Sequence, residues 1–242
     1  MGSNRDSYRL FLTVCIRDSR YFDTLSPDGR LKSIVSFIEG ILRLSTKYFI
    51  TGLRGKCISI FTRRMVTTLD DLDRIYFPFN PISTEELNDL IEVVMRAIIL
   101  AQDMSITDGL PFLYYLVAIH ISPERLLLNS EAELSWRDKT ICMVAREKLR
   151  LTWKESYAWL HNFTPSPDCR RRQDCRTAQG LHSLWSLVEI LVQKHPLLRF
   201  DKWNSLGVCQ LCQDKAMTQY TVARSHLWDT LPGLFNLQGH KS

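Results

Sequence analysis

Glycine and proline are scarce in this chain, with 10 and 9 in 242 residues. That scarcity excludes a linker-rich, collagen-like or low-complexity protein, since such chains use both residues heavily. Long apolar runs are missing as well. The longest, "IILA" and "LPFLYYLVAIHI", fall well short of the roughly 20 residues a membrane-spanning helix needs. The opening MGSNRDSYRL has no apolar signal-peptide core, and Asp6 stands where a myristoylation signal requires Ser or Thr. The expectation is an intracellular protein, cytoplasmic or nuclear, with no membrane partner. An excess of one charge is also small. The formal net charge is +5, and all of it arises before residue 77. Nucleic-acid binders usually carry a stronger, clustered excess.

Catalytic signatures are absent too. The sequence contains no nucleophile elbow, zinc-protease motif, dinucleotide fingerprint or suggestive carboxylate pair. Gly52-Leu53-Arg54-Gly55-Lys56 superficially resembles a phosphate loop. It has too few residues between its glycines, Cys57 follows instead of Ser or Thr, and no strand precedes it. The chain therefore reads as a non-enzyme.

What the sequence does have is helical periodicity. At 45% hydrophobic, it can bury the core of one large domain or two small ones. In "LKSIVSFIEGILRLSTKYF", Ile34, Ile38, Ile41 and Leu42 recur on one face, with Lys32, Ser36, Glu39 and Arg43 opposite. A break is expected at Thr51-Gly52, followed by a segment placing Leu53, Cys57, Ile60 and Phe61 together. The connector "YFPFNPIS" contains Pro78 and Pro81, which cannot sit inside a helix, so a boundary is placed between 76 and 77.

Beyond it, Ser83 and Glu86 form a capping box for "ELNDLIEVVMRAIILAQDM". Gly109 punctuates, and "LPFLYYLVAIH" reads as a buried helix. Ser122-Pro123 and Ser135-x-x-Asp138 open two more helices. The second has apolar positions at Ile141, Val144, Leu151 and Leu160. "GLHSLWSLVEILVQKH" is another expected helix, and "HLWDTLPGLFNL" a closing one packing Leu227, Trp228, Leu231 and Leu234. No β-alternation, repeat or low-complexity tract occurs. The fold class is all-α.

Seven cysteines form an odd set, which in a reducing compartment argues for thiols or metal ligands over disulfides. Cys15, Cys57 and Cys142 fall on apolar faces and read as core. Cys169-x5-Cys175 and Cys209-x2-Cys212 are a candidate zinc set, because a C-x2-C knuckle converges two thiolates on one ion. The first pair is loosely spaced and far from the second. The competing reading puts Cys209 and Cys212 at i, i+3 on a helix as small apolar packers. His161, His182 and His195 are alternative ligands. Arg170, Arg171 and Arg172 read as a solvated loop, since no aromatics interleave with them. Trp136, Trp153, Tyr157 and Trp159, at helical spacing, read as core.

Several phrases carry a family resemblance. "YRLFLTVCIRDSRYFD", "FIEGILRLSTKYFITGLRGKCISIF" and "TTLDDLD" resemble the second half of a BTB/POZ domain of the version common in mushroom-forming fungi. The most specific phrase is Ile41 to Tyr48 followed by Leu53-Arg54, which resembles the closing helix pair. "LPFLYYLVAIHISPERLLL", "LSWRDKTICMVAREKLR", the spaced cysteines and "LWDTLPGLFNL" are similar to the helical extension of such proteins.

The resemblance implies residues 1–76 as a partial BTB/POZ region and 77–242 as a helical C-terminal region. It implies a non-enzymatic protein-interaction module whose partner is a second copy or a cullin-type ubiquitin ligase scaffold. The partner surface would fall at Tyr8, Phe11, Arg17, Tyr21 and Phe22. No residues correspond to the family's β-rich first half, on which its homodimerisation leans. The alternative reading is a zinc-stapled helical domain associated with nucleic acid or transcriptional regulation.

Overall fold

Residues 31–76, 84–128, 134–178, 195–197 and 199–237 are described by the computed structural model, and among them every regular element is helical. The fold is all-α, as expected. No helix of the described residues is long and apolar enough to cross a membrane. The residues group into two compact units interleaved along the chain. The first draws on 1–67, 81–113 and 131–134, the second on 68–80, 114–130 and 135–242. Each therefore takes residues from both sides of 76/77. Residues 77–83 of the connector, including Ser83 of the capping box, and 180–194 of the helix expected over 180–195 lie outside the described residues.

In the first unit, α1 (Leu31–Lys47) packs on α2 (Thr51–Thr62) and on α4 (Thr84–Asp103). The stripe of Ile34, Ile38, Ile41 and Leu42 is buried, as its spacing dictates. Arg96 donates to Glu39 at 2.6 Å and Lys32 to Asp89 at 2.7 Å along the α1–α4 seam. The break after α1 comes earlier than expected, at Tyr48–Ile50, and Thr51 already belongs to α2. Gly52 to Lys56 thus form helical turns and make no phosphate loop.

Phe49 takes the left-handed conformation (φ 55°), while the Ile50 N–H donates to the Ser45 carbonyl and the Phe49 N–H to that of Thr46. This Schellman closure usually uses glycine. Ser105 after α4 repeats it with bonds from Ile106 to Ala101 and Ser105 to Gln102. Gly109, by contrast, is required. Its φ is +76°, and a Cβ there would stand 2.5 Å from the Met65 Cβ.

Helix α5 (Leu110–His120) passes from the first unit into the second after Leu113. It is buried from Leu110 to Ala118 except at Pro111, which is half-buried. The second unit is built on α7 (Trp136–Ser156) and α9 (Gln210–Leu234), which pack together. The intervening α8 (Arg172–Arg176) is a single short turn. The unit also includes α3 (Leu69–Tyr76) and α6 (Pro123–Leu128).

Ser135 caps α7 as expected, accepting from the Asp138 N–H at 3.2 Å. The buried face of α7 differs from the expected one. Asp138, Cys142, Ala145, Leu149 and Trp153 are buried, while Val144 and Leu151 are exposed. Small side chains on both helices, Cys142 and Ala145 on α7 with Ala216 and Ala223 on α9, favour close approach of this face. Asp138 is satisfied there by the Tyr114 and Ser135 hydroxyls. Of the aromatics read as core, Trp153 and Tyr157 are buried and Trp159 half-buried, but Trp136 is 70% exposed. Leu227 and Leu231 of α9 are buried, with Trp228 and Leu234 half-buried. Cys57 and Cys142 are core residues as expected, and Cys15 lies outside the described residues.

A hydrogen-bonded chain runs through this unit. Arg224 on α9 makes a two-point ion pair with Asp73 on α3 and donates through Nε to the Leu197 carbonyl at 2.7 Å. The Leu197 N–H donates to the Tyr115 hydroxyl, which lies 3.0 Å from His195 Nδ1. His195 keeps some solvent-facing surface, yet its enclosure, with His120 and Arg224 nearby, pushes its pKa down to about 3. Burial lowers that of His120 as well.

Both imidazoles are thus neutral in the folded state at pH values where the unfolded chain binds protons. The sign follows: the stability contributed is fully present above about pH 6.5 and falls as pH drops toward the folded pKa, for His195 by about 1.4 kcal/mol per pH unit between the two values. Urea unfolding at about pH 7 and about pH 5 should show a smaller difference in His195→Gln than in the parent. Equal differences would remove His195 from the acid response.

Candidate metal centre

The four cysteines reach one point from two stretches of chain. After α7, a short 3-10 turn (Ala158–Leu160) leads into the "TPSPDC" loop, where the Cys169 N–H closes a turn onto the Ser166 carbonyl at 3.0 Å. Cys175 follows on α8. Further on, a second 3-10 turn (Trp203–Leu206) ends at Gly207, whose φ of +72° redirects the chain into Cys209. Cys209 is the N-cap of α9 and has extended backbone, and Cys212 lies in that helix's first turn. The two therefore do not pack side by side on a helical face.

All four sulfurs lie within 4.8 Å of one another. Cys169 Sγ and Cys209 Sγ are 3.6 Å apart, close to the edge of about 3.8 Å that a tetrahedron with 2.3 Å metal–sulfur bonds requires. Backbone donors orient two of them. The Cys209 N–H points to Cys175 Sγ and the Ser166 N–H to Cys212 Sγ, each at 3.3 Å. Cys169, Cys175 and Cys212 are buried, and Cys209 is half-exposed.

Ionisation is uneven across the cluster. The Cys212 backbone N–H and the surrounding thiols pull the Cys209 pKa down to about 7. Burial pushes Cys175 up and Cys212 to about 12. A helix N-terminus favours thiolate, but four ionised sulfurs at this separation need a cation among them. The arrangement can hold one metal ion.

Among the described residues this is the one such cluster, and it contains no histidine. His161 is exposed and His195 is engaged with Tyr115, while His182 lies outside the described residues. Arg170, Arg171 and Arg172 are exposed beside the cluster, and Arg172 donates to the Pro167 carbonyl. The partner residues Tyr8, Phe11, Arg17, Tyr21 and Phe22 also fall outside the described residues.

Spacing in the sequence points to the ligands but not to the backbone N–H groups aimed at them. Gly207 two residues before Cys209, and the proline-punctuated turn before Cys169, are the signals available for those. The class these features define is an all-α protein with a four-cysteine cluster able to hold a metal ion. No family model, curated protein or solved structure matches the chain.

Proposed function

We propose that Cys169, Cys175, Cys209 and Cys212 bind one structural Zn2+, and that the protein is a non-enzymatic, zinc-stapled interaction module. The observation carrying the metal reading is the convergence of four sulfurs from two distant chain segments within 4.8 Å. An all-thiolate set suits zinc, and four protein ligands leave no open position for a substrate or an activated water. The site is of the kind that supports folding.

The interaction reading is supported by the BTB/POZ-like phrases in the sequence. On it, residues 1–76 resemble the second half of such a domain and residues 77–242 its helical extension, and the partner is a second copy or a cullin-type scaffold. Metal analysis of the purified, untagged protein tests the zinc reading. The expected result is about one equivalent of zinc per chain. A metal-free protein whose melting is unchanged by chelator would remove the staple.

A further inference from the structure

We infer that the outward face of α7 is a docking surface for an acidic amphipathic helix of a partner protein. This rests on the interaction reading, but on neither the zinc ion nor the residues before 31.

Trp136, Val144 and Leu151 are 70%, 48% and 56% exposed. At 100° per residue they fall within an arc of about 80°, opposite the buried Cys142 and Ala145. Large apolar residues seldom line up on a solvent-facing stripe without a partner, and exposed tryptophan is a frequent interface anchor. The seven-residue step from Val144 to Leu151 is the repeat with which two helices pack along their length.

The stripe leads to Glu155, four residues beyond Leu151, on the rim of a groove of about 490 Å3 that Trp159 and the 62%-exposed Val222 of α9 also line. From Trp136 to Glu155 the helix rises about 28 Å, room for roughly five helical turns of a partner.

Charge selects the occupant. Arg137 and Lys148 flank the stripe on one side and Lys139 on the other, with Lys154 at its end. Among the described residues none of these four has a carboxylate partner, while Glu147 is paired with Arg150 at 3.3 Å. Lys139 instead lies over the Trp136 ring, 5.7 Å from its centroid. Counting the exposed Glu147–Arg150 pair, five cations stand against two acids, Glu147 and Glu155, and this balance favours an acidic chain.

The test uses the full-length protein and a labelled synthetic helix with leucines at heptad positions and glutamates elsewhere, read by fluorescence anisotropy. The protein should bind it, and Val144→Glu/Leu151→Glu should weaken binding at least tenfold. Trp136→Ala should weaken it as well. Both α7 variants change exposed side chains, so an unchanged circular dichroism spectrum and melting temperature verify folding.

Equal binding by the double variant, or equal binding of the same helix carrying lysines, would overturn the assignment. Sedimentation with anionic phospholipid vesicles in place of peptide binding would overturn it in favour of a lipid surface. If the helix is not bound while the protein binds a purified cullin-type scaffold, the α7 surface falls and the interaction reading stands. If neither binds, both fall.

Discussion

Cys212→Ser should release the metal and lower stability by more than about 4 kcal/mol, shifting the melting temperature on the order of 10 °C or more. Two contributions set that size. A metal joining Cys169 to Cys209 closes a loop across 40 positions, and removing the closure frees chain entropy worth about 4 kcal/mol in the unfolded state. The vacated sulfurs also lose their shared cation, leaving buried thiols in mutual contact.

Loss of a packed thiol is the competing explanation, since burying a serine hydroxyl costs about 1–3 kcal/mol. A chelator separates the two. It should bring the wild-type protein down to the level of Cys212→Ser and leave the variant unmoved. A variant that melts lower while the wild-type ignores the chelator would mark Cys212 as a packing residue.

The second large effect is expected at Arg224. Arg224 is 8% exposed, and its guanidinium meets Asp73 across a sequence separation of 151 positions. Arg224→Ala strands a partly buried carboxylate and deprives the Leu197 carbonyl of its donor, at a cost of about 3–5 kcal/mol. Arg224→Lys should recover little, because an ammonium cannot make the same two-point contact while also reaching Leu197.

Asp73→Ala should be costly for the converse reason. The double variant Asp73→Ala/Arg224→Ala should then fall well short of the sum of the singles. Urea unfolding of the four proteins measures this coupling. Additivity within about 0.5 kcal/mol would show that the pair does not act as a unit.

Local order is legible in the sequence where periodicity and burial coincide. The α1 stripe and the largely apolar α5 follow from spacing alone, and Ser122 and Ser135 cap their helices as their side chains suggest. Helix α7 defeats the same logic, because hydrophobicity alone assigns Val144 and Leu151 to the core. The face that packs is chosen by the small Cys142 and Ala145, whose value lies in how closely another helix can approach.

Helix ends are hidden for a related reason. Phe49, Ser105 and Asn236 all adopt left-handed backbone without glycine, so the usual stop signal is missing from the sequence. Cys169 and Cys175 sit among charged residues, and only the fold reveals that they are buried. The Arg224–Asp73 pair has no local signature at all, since nothing near either residue names the other.

The four-sulfur cluster also changes what a broken chain would mean. Asp201 and Lys202 are exposed and lie between Cys175 and Cys209. With zinc bound as proposed, a protease cutting there would sever the polypeptide inside a ring closed by the metal. The pieces would stay together as one particle, held by a joint that a chelator can undo. On the zinc reading, α9 would be fastened to the rest of its unit with a removable pin, independent of covalent continuity at residue 201.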